Sequence, residues 1–209
     1  MRPAVDVPAL QHVFVPGLRF DTELHFRMKG RGGRGIWRPL PTPEVSAVNS
    51  AWVALMQAEA LLTGKVPSRQ AMARATRADR ADRAGALPVT QAALRACVSE
   101  FIPELQARWH SGQSAVASGD SLPGLALACL LGPDDLHWAL VTGMEIERGA
   151  GPGPPRALLL LDSRRAGPWG TGYNARLLIE KNRWQGLDGE VQANELVGLL
   201  ELQRLSASH

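Results

Sequence analysis

Tyrosine occurs once in these 209 residues and cysteine twice, and the second shortage excludes a disulfide framework of the kind that holds small secreted folds together. Cys97 and Cys129 sit in apolar runs, LRACVSEFI and LALACLLG, where a free cysteine behaves as a small buried hydrophobe. Long apolar runs are missing too. Nowhere do about 18 apolar residues follow one another, so no membrane insertion is expected. The opening MRPAVDVPALQ lacks the basic-then-apolar pattern of a secretory signal. The chain reads as soluble, either cytoplasmic or exported without a recognisable signal peptide. Charge of one sign is absent as well: 23 Lys and Arg against 20 Asp and Glu leave a formal net charge of +3. That is too balanced for a nucleic-acid binder without a patch. The histidines, His12, His25, His110, His137 and His209, have no cysteine or carboxylate at metal-ligand spacing, so no metal site is expected. There is no Walker loop, dinucleotide fingerprint or internal repeat, and no cofactor is implied.

What is present suffices for one core: 45% of the chain is hydrophobic, and the length suits a single domain over 1–209. Residues 1–44 form an arm whose short apolar runs, Val13 to Val15 and Leu24 to Phe26, are broken by Pro16, Gly17 and the GRGGRG stretch at Gly30 to Gly35. This reads as a strand-poor arm or hairpin with a solvated basic loop. Residues 45–110 read as helical. Asn49 or Ser50 offers an N-cap to AWVALMQAEALL, which stops at Thr63 and Gly64. A helix apolar all round must be covered on all sides, so this one is expected to run through the middle of the domain. Ser68 caps a second helix, rich in arginine and interleaved with Asp79 and Asp82, that ends near Gly85. Its alternating charges describe a solvated face. A third helical pattern runs from Thr90 towards Trp109, with Pro103 expected to kink or restart it.

After Pro123 the period changes. LALACLL, LHWALVTGMEIE, RALLLLDS and ARLLIE are short apolar runs separated by GPDD, GAGPGPP and RRAGPWGTG, the pattern of an antiparallel sheet with turns over 124–209. The tail ANELVGLLELQRL reads as a closing helix, with a strand as the alternative. Helices first and strands afterwards give an α+β fold, a central buried helix packed on a C-terminal antiparallel sheet.

The chemistry follows from the two ends of this arrangement. A thiol nucleophile is activated at the N-terminus of a buried helix, where the dipole and unpaired N–H groups favour the thiolate. A histidine from another element takes its proton, and an Asn or Asp orients the histidine. At the start of the buried helix the chain reads Ser50-Ala51-Trp52-Val53-Ala54; later come Leu136-His137-Trp138-Ala139-Leu140-Val141-Thr142-Gly143 and Leu160-Leu161-Asp162-Ser163. These three motifs, in this order over roughly residues 45 to 165, resemble the papain-like cysteine peptidases, including bacterial leader-peptidase and effector families, with Ala51 where the nucleophilic cysteine stands.

The resemblance implies a papain-like fold, hydrolysis of a peptide or amide bond in a peptide or protein substrate, His137 as the base and Asp162 as its orienter. It also implies a groove beside Trp52 and Trp138. Family members often carry a glutamine ahead of the cysteine to donate to the oxyanion; Glu44 to Ser50 has none, leaving Asn49 or Ser46, with the backbone N–H at 51, for that role. As written the chain would be inactive, either an inactivated peptidase or a natural pseudopeptidase that binds a peptide or protein. The same residue types also occur for plainer reasons. A histidine beside Trp in an apolar strand is ordinarily a core or edge residue, and an Asp ending a strand is commonly a turn starter. Ser50 is an alternative nucleophile, although a hydroxyl gains less than a thiol from a helix dipole. The peptidase reading requires Ala51 in the first turn of its helix, facing His137 across a cleft within about 8 Å. It also requires Asp162 against the ring nitrogen turned away from Ala51. Should Asp162 only cap its own turn, Asn174 or Asn182 is the next candidate.

Overall fold

The computed structural model describes residues 9–18, 47–63, 90–112, 116, 124–133, 136–149, 153–164, 172–187 and 189–205. The Arg-rich helix expected after Ser68 and the GRGGRG loop lie outside them. Strand β1 (Leu10–Phe14) precedes helices α1 (Ala47–Thr63) and α2 (Gln91–Phe101). There follow β2 (Leu105–Ser111), β3 (Leu125–Leu131), β4 (Leu136–Glu147), β5 (Ala157–Leu161) and β6 (Ala175–Leu178). A 3₁₀ turn at Ile179–Lys181 then leads to β7 (Arg183–Gly186), β8 (Val191–Ala193) and β9 (Glu195–Arg204). The result is α+β: helices on the N-terminal side of the chain and a large antiparallel sheet after them.

Helix α1 carries its apolar residues on every side, and Ala51, Trp52, Ala54, Leu55, Ala58 and Leu61 are all buried. It begins earlier than expected, at Ala47. Asn49 and Ser50, both good cap residues, lie inside it, because nothing in Ala47-Val48 breaks a helix. Helix α2 does start where its cap residue says. Thr90 is extended (φ −74°, ψ 156°) and its side chain accepts from the Ala93 N–H at 3.2 Å.

The helical pattern expected to continue towards Trp109 ends at Phe101; Ile102 caps it, and after Pro103 the chain enters β2. There the period is two, with Leu105, Ala107 and Trp109 on the helix layer and Gln106 and Arg108 exposed. The C-terminal segment read as a closing helix is strand β9. It lies between β2 and β3, and residues 198–202 are buried without a break: Leu200 and Leu202 join the helix layer and Leu199, with Leu196, the opposite one. A strand buried on both faces is a continuous apolar run, which periodicity cannot separate from a helix. Strands β1 and β2 also extend the sheet into the stretches assigned to the arm and the helical part. β1 pairs with β4, where Gly143 lets the chains close up: a Cβ there would sit 2.7 Å from the Val13 carbonyl oxygen. His12 Nε2 reaches the buried Glu145 carboxylate at 3.2 Å, which also takes the Arg176 guanidinium.

The strand order is β2-β9-β3-β4-β5-β6-β7-β8, with β1 on β4. Only Asn194 separates β8 from β9, so the strand that pairs with β7 runs directly into the strand that pairs with β3. This joint turns the β8 end of the sheet back towards β9, and Trp184 of β7 shares a buried cluster with Leu196 of β9. One buried cluster, including Trp184 of β7, Leu177 of β6, Leu160 of β5, Ala139 of β4, Leu130 of β3 and Leu196 of β9, occupies one face. The other face packs on α1 and α2 through Cys129, Trp138, Leu140, Leu161 and Leu200. Among the described residues no helix is long and apolar enough to cross a membrane.

Candidate catalytic site

The site lies where β4 begins, β5 ends and α1 comes against the sheet. β5 pairs with β4 only as far as Leu161 opposite Leu140. Beyond that point the Trp138 N–H would be an unpaired buried donor, and the Ser50 hydroxyl accepts it at 2.9 Å. This bond joins a residue next to Ala51 to a residue next to His137. It also gives Ser50 a task in holding α1 to β4.

His137 is 2% exposed and Asp162 2%. The ring Nε2 stands 3.5 Å from Asp162 Oδ2, at the long end of hydrogen-bond reach. The second carboxylate oxygen, Oδ1, accepts from the Arg164 N–H at 2.9 Å, so Asp162 both faces the imidazole and caps its own turn. Burial pushes the Asp162 carboxyl up, but the hydrogen bond and charge of His137, with the N–H and charge of Arg164, outweigh it and hold the group below its ordinary value. A carboxylate at Nε2 favours the tautomer protonated there. His137 Nδ1 is buried and has no hydrogen-bond partner among the described residues, and the same is true of Ser163 Oγ.

Ala51 is 0% exposed and lies one turn inside α1, whose first residue is Ala47. The expectation of a first-turn position is thus corrected. The first four N–H groups of a helix are free and the fifth is bonded to the first carbonyl, so the N–H at 51 is not an oxyanion donor. Asn49 lies in α1 with its side chain outside the described residues, and Ser46 is outside them altogether. Trp52 (6% exposed) and Trp138 (1%) pack into the helix-layer core in place of lining an open groove. Trp138 meets Trp109 edge to face at 6.1 Å.

The register of β4 matters for His137. Cys129 opposite Trp138 belongs to the helix layer, and Leu130 opposite His137 to the other face. Side chains alternate along a strand, so His137 leaves β4 on the side away from Trp138 and from the helix layer that contains Ala51.

Asn174, a reserve candidate for orienting the histidine, has a different part that sequence reasoning did not find. It is 2% exposed, its Oδ1 accepts from the Asp162 N–H at 2.7 Å, and its Nδ2 donates to the Asp162 carbonyl at 2.9 Å. The only signal was its type and its place just before a strand. Asn182, the other reserve candidate, adopts a left-handed conformation (φ 46°) at the end of the 3₁₀ turn. Cys129 is buried, with its thiol pushed up to about 12 by desolvation, and is inert as a nucleophile. Among the described residues no group of three or more His, Cys, Asp or Glu gathers in a form that holds a metal ion. One open cavity of about 340 Å³, lined by Glu59, Leu62, Ile102, Glu104, Leu105, Arg204 and Leu205, lies at the far end of α1 from Ala51.

Compared with protein-family models, with curated proteins and with solved structures, the chain matches none.

Proposed function

We propose that the chain is a papain-like cysteine peptidase scaffold of bacterial type, built to hydrolyse a peptide or amide bond and silent as written because Ala51 has no thiol. The observation that carries this reading is the buried His137–Asp162 pair, whose Nδ1 has no partner among the described residues, at the start of a strand that the Ser50–Trp138 bond ties to α1. With a cysteine at 51, His137 takes the thiol proton and the sulfur attacks the carbonyl carbon, forming a C–S bond. The proton passes to the leaving amine as the C–N bond breaks, and water then hydrolyses the thioester to release the acid. Asp162 orients the ring throughout.

The test is Ala51→Cys. The introduced thiol is expected to titrate below the ~8.5 of free cysteine. It should also react with iodoacetamide at about pH 6 far faster than Cys97 or Cys129, an advantage that His137→Ala abolishes. A second reading, a natural pseudopeptidase that recognises a peptide or protein without cutting it, is favoured by the full burial of Ala51, the core packing of both tryptophans and the side of β4 from which His137 leaves. An introduced thiol of ordinary reactivity, indifferent to His137, would leave only that second reading.

A further inference from the structure

The ladder between β5 and β6 has its last pair at Leu160 and Ala175. Asp162 lies past this end, where a buried backbone would lose its partners. Asn174 supplies them with its side chain. A carboxamide presents one acceptor and one donor, the same pair as a peptide group, and here it bonds both the N–H and the carbonyl of Asp162. The backbone of Asn174 is itself fixed from two sides: its N–H donates to Leu160 O at 2.8 Å, and its carbonyl accepts from Leu187 N at 3.1 Å. The clasp therefore has a rigid base reaching from β5 to the end of β7, and it sets the backbone of one residue. With that backbone set and Oδ1 held by the Arg164 N–H, Oδ2 is the carboxylate oxygen left to face the ring.

We propose that Asn174 is the positioning residue of this site: its side-chain amide clasps the main chain of Asp162 and thereby aims Oδ2 at His137 Nε2. The inference rests on the reading of His137 and Asp162 as a catalytic pair, but its primary test needs no catalysis. In the full chain at about pH 8, nitrogen NMR of the His137 ring is expected to show a proton on Nε2 and none on Nδ1. Asn174→Ala should convert this to a mixture of tautomers. Asn174→Asp, which keeps the volume and the acceptor but loses the donor to the Asp162 carbonyl, should do the same should the alanine variant fail to fold. Leu94→Ala, which removes a buried side chain from α2 in the helix layer, controls for general destabilisation and should leave the ring as it is. A ring unchanged in a folded Asn174 variant, or disturbed equally by Leu94→Ala, overturns the inference. The same substitution in an Ala51→Cys chain should cut the alkylation rate at about pH 6 by roughly tenfold to a hundredfold, the order expected for a misplacement near 1 Å. Should the introduced thiol prove indifferent to His137 while the tautomer still depends on Asn174, the peptidase reading falls and the positioning role stands.

Discussion

Asp162 keeps its charge in a place with almost no water, and the groups that compensate for the lost hydration determine how the protein meets acid. Its carboxyl lies below the ordinary value in the folded chain, so the folded state binds the proton less readily than the unfolded one. The resulting stability is fully present above the unfolded value of about 3.9 and is lost as pH falls through the lower folded value. Asp162→Asn is expected to remove this component. Chemical denaturation from about pH 6 down to pH 3 should show a shallower loss of stability in the variant than in the native chain; parallel curves would mean that Asp162 contributes no such linkage. At this scale the meeting of His137 with Asp162 was legible, because both stand at the ends of apolar runs that read as neighbouring strands. Ser50 and Asn174 were not legible in their actual roles. Ser50 acts through a bond to residue 138, and Asn174 acts on a main chain twelve residues away, so neither function exists until the strands are in register.

Elements were legible where their chemistry is local and misread where burial masks the period. Thr90 caps α2 by a bond three residues long, and β3, β4 and β5 are bounded by turn residues that announce themselves. β9 gave no such signal, because burial of Gly198 to Leu202 without a break hides the alternation of its middle. Its packing against β2 leaves a specific mark at Gly198, where an added Cβ would sit 2.3 Å from the Trp109 ring and 2.5 Å from the His110 carbonyl oxygen. Gly198→Ala is thus expected to push Trp109 aside and to cost about 1–3 kcal/mol. Because Trp109 meets Trp138, beside His137, the shift should appear in tryptophan fluorescence as well as in a thermal melt. A variant with native fluorescence and unchanged melting would show that β2 yields without strain.

The molecule as a whole depends on a joint that no segment announces. The order of helices and strands fixed the α+β class in advance, but the return of the β8 end of the sheet to β9 depends on Asn194, the one residue between them, and a one-residue joint looks like any other kink. Leu196 stands just past that joint, buried in the cluster that contains Trp184 of β7 and Leu130 of β3. Leu196→Ala should cost about 2–5 kcal/mol, measured by denaturant titration, and should loosen β8 and β3 together in hydrogen exchange. Loosening of one without the other would mean that β8 and β3 do not open as a single cooperative unit. The position of β9 also orders events in time. A ribosome delivers β2 and β3 early, yet the strand that belongs between them emerges only after all the others described, so the emerging chain must hold two sticky edges apart until its neighbour arrives. Assembly is therefore expected to complete after synthesis of β9 and not alongside it, and a cell making this protein in quantity has reason to shield those edges while it waits.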